Sequence, residues 1–204
     1  MYLLIIILLA VLVLNIFIKR SSKSNKPFED FLEKQRLANT APKKEIPDEL
    51  YVTVNAQNLP VADALPQEPN EKLLKAQNTA LKLIGSKMLK LPNGTDNSDI
   101  KIAYGAGNFE RVVSMEGNYE NCMHALINWA EELVKAERYA EAERVLREAI
   151  TAKTDMSRAF ALLRDCYIKQ NNGDGAASLR NLVNAEEFLS DNPAARKKIR
   201  GLCS

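Results

Sequence analysis

The stretch that decides the fold is Met123–Met156, MHALINWAEELVKAERYAEAERVLREAITAKTDM. Its apolar residues fall into two stripes. Met123, Leu126, Ile127, Ala130, Leu133 and Val134 stand at i, i+3, i+4, i+7, i+10 and i+11, which is one face of an α-helix. After a break at Glu137-Arg138, the residues Tyr139, Ala142, Val145, Leu146, Ala149 and Ile150 mark a second helical face. Two short helices joined by a short turn pack as antiparallel neighbours.

The pattern continues outward. Phe160, Leu163, Tyr167 and Ile168 mark a third helix, and Ala176, Leu179, Leu182, Val183 and Phe188 a fourth, with Asn171–Gly175 as the turn between them. Asp191-Asn192-Pro193 opens a last basic helix with Pro193 near its first position. On the N-terminal side, Leu73, Leu74, Leu81, Ile84, Met88 and Leu89 predict a helix over about 71–90 entered at Asn70, and a further helix is predicted over roughly 108–116, broken at Gly117-Asn118. Pro92–Asn97 reads as a turn. Tyr104–Asn108 reads as a helix end followed by a cap at Asn108, because it lacks the third glycine and the lysine of a phosphate loop.

The 123–156 window resembles the tetratricopeptide repeat (TPR) family. Ala130 and Leu133 match the small and large positions of the first helix, Tyr139 the aromatic at the turn, and Ala142, Leu146 and Ala149 the small–large–small series of the second. The window 157–190 is a degenerate repeat: Phe160, Leu163, Tyr167 and Ala176 match, whereas Arg164 and Arg180 replace a small and a large apolar residue. The fold class expected is therefore all-α, with a TPR-like antiparallel helical-hairpin domain over 71–204, and Trp129 belongs in its core. In that family the first helix of each repeat lines a concave groove. The resemblance thus implies a groove made of His124, Ile127, Glu131 and Val134 from one window and Arg158, Ala161, Asp165 and Ile168 from the next. Ile127 and Glu131 stand where the family's carboxylate clamp needs Lys and Asn. The partner expected is an amphipathic helix or an apolar segment with a basic residue to meet Glu131 or Asp165.

Residues 1–18, MYLLIIILLAVLVLNIFI, have another character. As a helix they span about 27 Å at ~1.5 Å per residue, just short of a ~30 Å hydrocarbon core, and Lys19 and Arg20 can snorkel across the shortfall. No basic segment precedes the run, no small-residue cleavage site follows it, and the first cysteine is Cys122. The reading is a single-pass transmembrane anchor. Lys19, Arg20, Lys23 and Lys26 all follow it, which places 19–204 in the cytoplasm. Residues 19–69 read as a linker: a basic start at 19–26 without structure, a short amphipathic helix over 28–38, then an extended spacer over 39–69 that holds five of the eight prolines. Within it, Leu50–Val54 is β-prone but has no evident sheet to join. The 46–61 arm either packs on the helical domain, where it could cover the groove, or hangs free.

The chain of 204 residues has one His, three Cys and a formal charge of +2. A single His excludes a multi-histidine metal site, and the charge gives no argument for nucleic acid. Cys122 and His124 are two apart on a helix and diverge by about 200°. The alternating acids and bases from Glu131 to Glu148 read as a solvated face. No catalytic set, cofactor motif or metal-ligand spacing is present in the sequence. The function expected is a non-catalytic scaffold that holds a protein or peptide at the membrane. A structural subunit with a closed groove and an accessory enzyme stand as alternatives.

Overall fold

The computed structural model describes residues 2–61, 71–170, 175–185 and 192–203; the side chains of 2–10, 16–25, 175, 176, 185 and 203 are outside the description. The protein is mostly helical. Its elements are α1 (Tyr2–Thr40), β1 (Tyr51–Val52), α2 (Glu71–Ile84), β2 (Met88–Leu89), α3 (Asn97–Tyr104), α4 (Phe109–Lys135), α5 (Tyr139–Thr151), α6 (Ser157–Lys169), α7 (Gly175–Ala185) and α8 (Pro193–Arg200). Contacts divide the chain into two compact units, Met1–Glu45 with Asp96–Phe109, and Ile46–Thr95 with Glu110–Ser204.

The smaller unit joins the second half of α1 to α3. Asp96 and Asp99 form a capping box on α3, and Lys34 bridges both carboxylates at 2.8 and 2.7 Å. Gln35 Nε2 donates to Ser98 Oγ at 2.7 Å, and Lys101 Nζ to Asn39 Oδ1 at 2.9 Å. Ala38, with no exposed surface, lets the helices approach. Past α1, the Ala106 amide donates to the Ala41 carbonyl and the Lys44 amide to that of Tyr104. Gly105 is required at this crossing. Its φ is +90°, and a Cβ there would lie 2.3 Å from the Pro42 carbonyl oxygen. Asn108 is buried, but its amide donates to the Lys44 and Tyr104 carbonyls instead of accepting as a cap.

The larger unit contains the core. Met123, Leu126, Trp129 and Leu133 of α4 meet Val145, Leu146 and Ile150 of α5, Phe160 and Leu163 of α6, Leu179 and Val183 of α7 and Ile199 of α8 in one buried cluster. Trp129 is fully buried, as its stripe requires. The turns after α4 and α5 use the same device. Arg138 N–H donates to the Leu133 carbonyl around Glu137 at φ +60°, and Thr154 N–H to the Ala149 carbonyl around Lys153 at φ +65°. Each is a left-handed helix end built without glycine. Asn192 caps α8 by accepting from the Ala195 amide, with Pro193 in the first turn.

Several expectations are corrected. The helix expected over 71–90 stops at Ile84. Met88 and Leu89 instead form an antiparallel ribbon with Val52 and Tyr51, so the strand-prone segment does find a partner. The break expected at Gly117-Asn118 is absent: α4 runs unbroken from Phe109 to Lys135 because Val112, Met115 and Tyr119 bury on one side of it. Residues 19–26, expected to lack structure, are helical within α1, which carries Pro27 inside it. The segment 46–61 does not hang free: Val52, Val54 and Leu59 are buried in the core cluster. The expected cap at Asn70, the spacer at 62–69, the turn at 171–174, and Phe188 and Asp191 lie outside the described residues. Among the described residues no helix is long and apolar enough to cross a membrane. Most of the side chains of the expected span, 1–18, lie outside that description.

Candidate functional site

The eight residues expected to line a groove separate into four sets. His124, Asp165 and Ile168 are exposed, Ile168 at 58%. Val134 and Ala161 are half-buried, and Val134 packs against the core. Ile127 is a correction: at 1% exposure it is a core residue and lines nothing. It stands four after Met123 and three before Ala130, so the buried stripe claims it.

Glu131 and Arg158 are brought together. Arg158 Nε donates to Glu131 Oε1 at 2.8 Å, Nη2 pairs with Oε2, and Nη1 reaches Asn128 Oδ1 at 3.5 Å. The hydrogen bond from Arg158 holds the Glu131 carboxyl below its ordinary value, and the carboxylate in turn raises the guanidinium. The expected acidic point at Glu131 is thus already neutralised from within, by the other helix of the same face. Asp165 likewise accepts from Arg164 at 3.0 Å while staying exposed.

A second cluster fixes the 46–61 arm. Glu148 of α5, only 9% exposed, accepts from the Asn55 amide at 3.2 Å and from Asn58 Nδ2 at 2.6 Å, while Arg144 Nε donates to the Asn58 carbonyl at 3.0 Å. The arm is therefore seated on α5 by these bonds. Glu148 had read as part of a solvated face. The signal was its place three after Val145 and four before Ala152, both buried. Nearby, the Lys153 carbonyl accepts from Tyr119 Oη at 2.9 Å and from Lys90 Nζ at 2.5 Å, tying β2, α4 and the α5–α6 turn together.

Burial pushes the thiols of Cys122 to about 11 and Cys166 to about 12, so neither is a nucleophile at neutral pH. Among the described residues, no group of His, Cys, Asp and Glu is placed to hold a metal.

Consecutive antiparallel hairpins with small residues at the crossings and the same left-handed turn repeated define a TPR-like helical protein. Residues 133–197 match the Tetratricopeptide repeat family, a span that runs from the last three residues of α4 into α8 and covers about a third of the chain. No curated protein and no solved structure matches.

Proposed function

We propose that this protein is a membrane-tethered, non-catalytic scaffold that holds a protein or peptide partner at the cytoplasmic face of a membrane. The observation that carries the scaffold reading is the run of short helices α5–α7 within the span that matches the repeat family, packed in one core with α4, a module suited to protein–protein interaction. Their first helices carry exposed, unlike side chains at His124, Asp165 and Ile168. The tether rests on the sequence: an apolar run over 1–18 followed at once by Lys19 and Arg20, with Lys23 and Lys26 close behind. The partner chemistry shifts with the Glu131–Arg158 pair closed: apolar contact at Ile168 comes first, and a basic residue opposite Asp165 second.

The test is a photocrosslinking residue at His124 and at Ile168 of the full chain in native membranes. Capture of one and the same second protein from both positions supports the reading, and its absence overturns it. A reporter fused after Ser204 that is active only outside the cytoplasm should stay silent. The closed pair also favours a second reading, a structural subunit whose face is sealed. In that case the purified chain is an obligate oligomer, and crosslinks from Ile168 stay within the assembly.

A further inference from the structure

The second half of α1 has two unlike faces. Phe28, Phe31 and Leu32 lie within about 100° of one another around the axis at 62, 54 and 50% exposure. Glu29, Asp30 and Glu33 occupy the opposite side, where Leu37 is the one large apolar side chain among the charges and Arg36 is forked onto Glu33 at 2.8 and 2.7 Å. The apolar face continues the stripe that buries Ala38, but α3, at eight residues, is bonded to α1 only from Lys34 onward. An aromatic face is thus left open one to two turns before α3 begins.

We propose that this face docks in the headgroup layer of the membrane, with the acidic side turned to water. The proposal rests on the tether proposed above. Three observations favour a lipid surface. The face belongs to the same unbroken helix as the apolar run, so the tether delivers it to the bilayer. Lys19, Arg20, Lys23 and Lys26 lie between the two and attract anionic headgroups. Aromatic and leucine side chains opposite a charged face are the make-up of an interfacial helix, and Phe and Leu bury there without a polar partner. Pro27 stands inside this helix, one residue before the open face. It has no N–H for the turn before it, which frees a carbonyl and makes this the point where the helix can turn away from the bilayer normal.

The experiment uses the full chain in vesicles of seven parts zwitterionic to three parts anionic phospholipid. A photocrosslinking residue replaces Phe31 in one preparation and Glu33 in another, and each is floated on a density gradient before mass analysis. The expected result is flotation of both, with several-fold more lipid adduct from position 31 than from 33. Flotation with equal or no lipid adduct overturns the docking and leaves the tether standing. A crosslinked dimer from position 31 overturns it in favour of a second copy of the chain. Failure to float overturns the tether and the docking together.

Discussion

Arg158 of α6 forks the carboxylate of Glu131 on α4, so the first helices of two successive hairpins are joined across the face where a ligand was expected. Arg158 is half exposed, which limits the strength of the pair. Arg158→Met, Glu131→Gln and the double variant, compared by urea denaturation, should give a coupling of about 0.5–1 kcal/mol. The carboxyl sits below its unfolded value, so this contribution is present above the ordinary Glu range and fades as pH falls through the lower folded value. A coupling that is unchanged down to pH 2 contradicts the pairing.

Trp129 fills the centre of the hairpin core and its indole N–H has no hydrogen-bond partner among the described residues. Trp129→Ala should cost about 3–5 kcal/mol, the range for emptying a core aromatic site. Trp129→Phe should cost well under half of that, because it gives up no hydrogen bond and also removes a buried orphan donor. Thermal melting of the two variants separates a packing role from a polar one.

Glu148 seats the arm. Glu148→Ala leaves the Asn55 amide and the Asn58 side chain without their acceptor, at a cost of about 1.5–3 kcal/mol. The loss should be local first. Hydrogen exchange at residues 52–59 should accelerate well before exchange in α5 and α6 does. Equal acceleration throughout would mean that the arm and the hairpins unfold as one.

Gly105→Ala should disrupt the smaller unit. The left-handed backbone penalises any Cβ, and at 2.3 Å the Pro42 carbonyl leaves no room for one. A cost of at least about 2 kcal/mol is expected, read as lost exchange protection at Lys44 and Ala106. Gly107→Ala, with open space at its Cβ, is the matched control.

Asp96 should titrate near 2 instead of its usual 3.8, chiefly because Lys34 donates to it, with the Asp99 amide adding to the effect. A depressed carboxyl stabilises the fold above the ordinary value and stops doing so as pH falls from about 4 to about 2. In Lys34→Met the Asp96 carbon resonance should titrate closer to 3.8. No movement would mean that the capping box alone sets it.

The hairpins were legible because α4 and α5 alternate alanines and large apolar residues at the helical period, which leaves few other ways to bury them. The same rule, applied strictly, places Ile127 inside. The family register placed it in a groove, and the local stripe was the better guide. Tyr51-Val52 and Met88-Leu89 were not legible as a pair, since two-residue strands have no period to detect and their contact spans 36–38 residues of sequence. Gly117 resembled a break because propensity counts against it, yet burial on either side carries the helix through. The Glu131–Arg158 pair joins two helices separated by a third, and no local pattern encodes that.

The bond between Asn58 and Glu148 spans 90 residues, and this sets an order of events during synthesis. At roughly 5–20 residues per second, Val52, Val54 and Leu59 wait about 5–20 s after leaving the ribosome before the helix that receives them exists. A nascent chain stalled before Glu148 would present this apolar arm to chaperones and to neighbouring chains. The completed chain withdraws it.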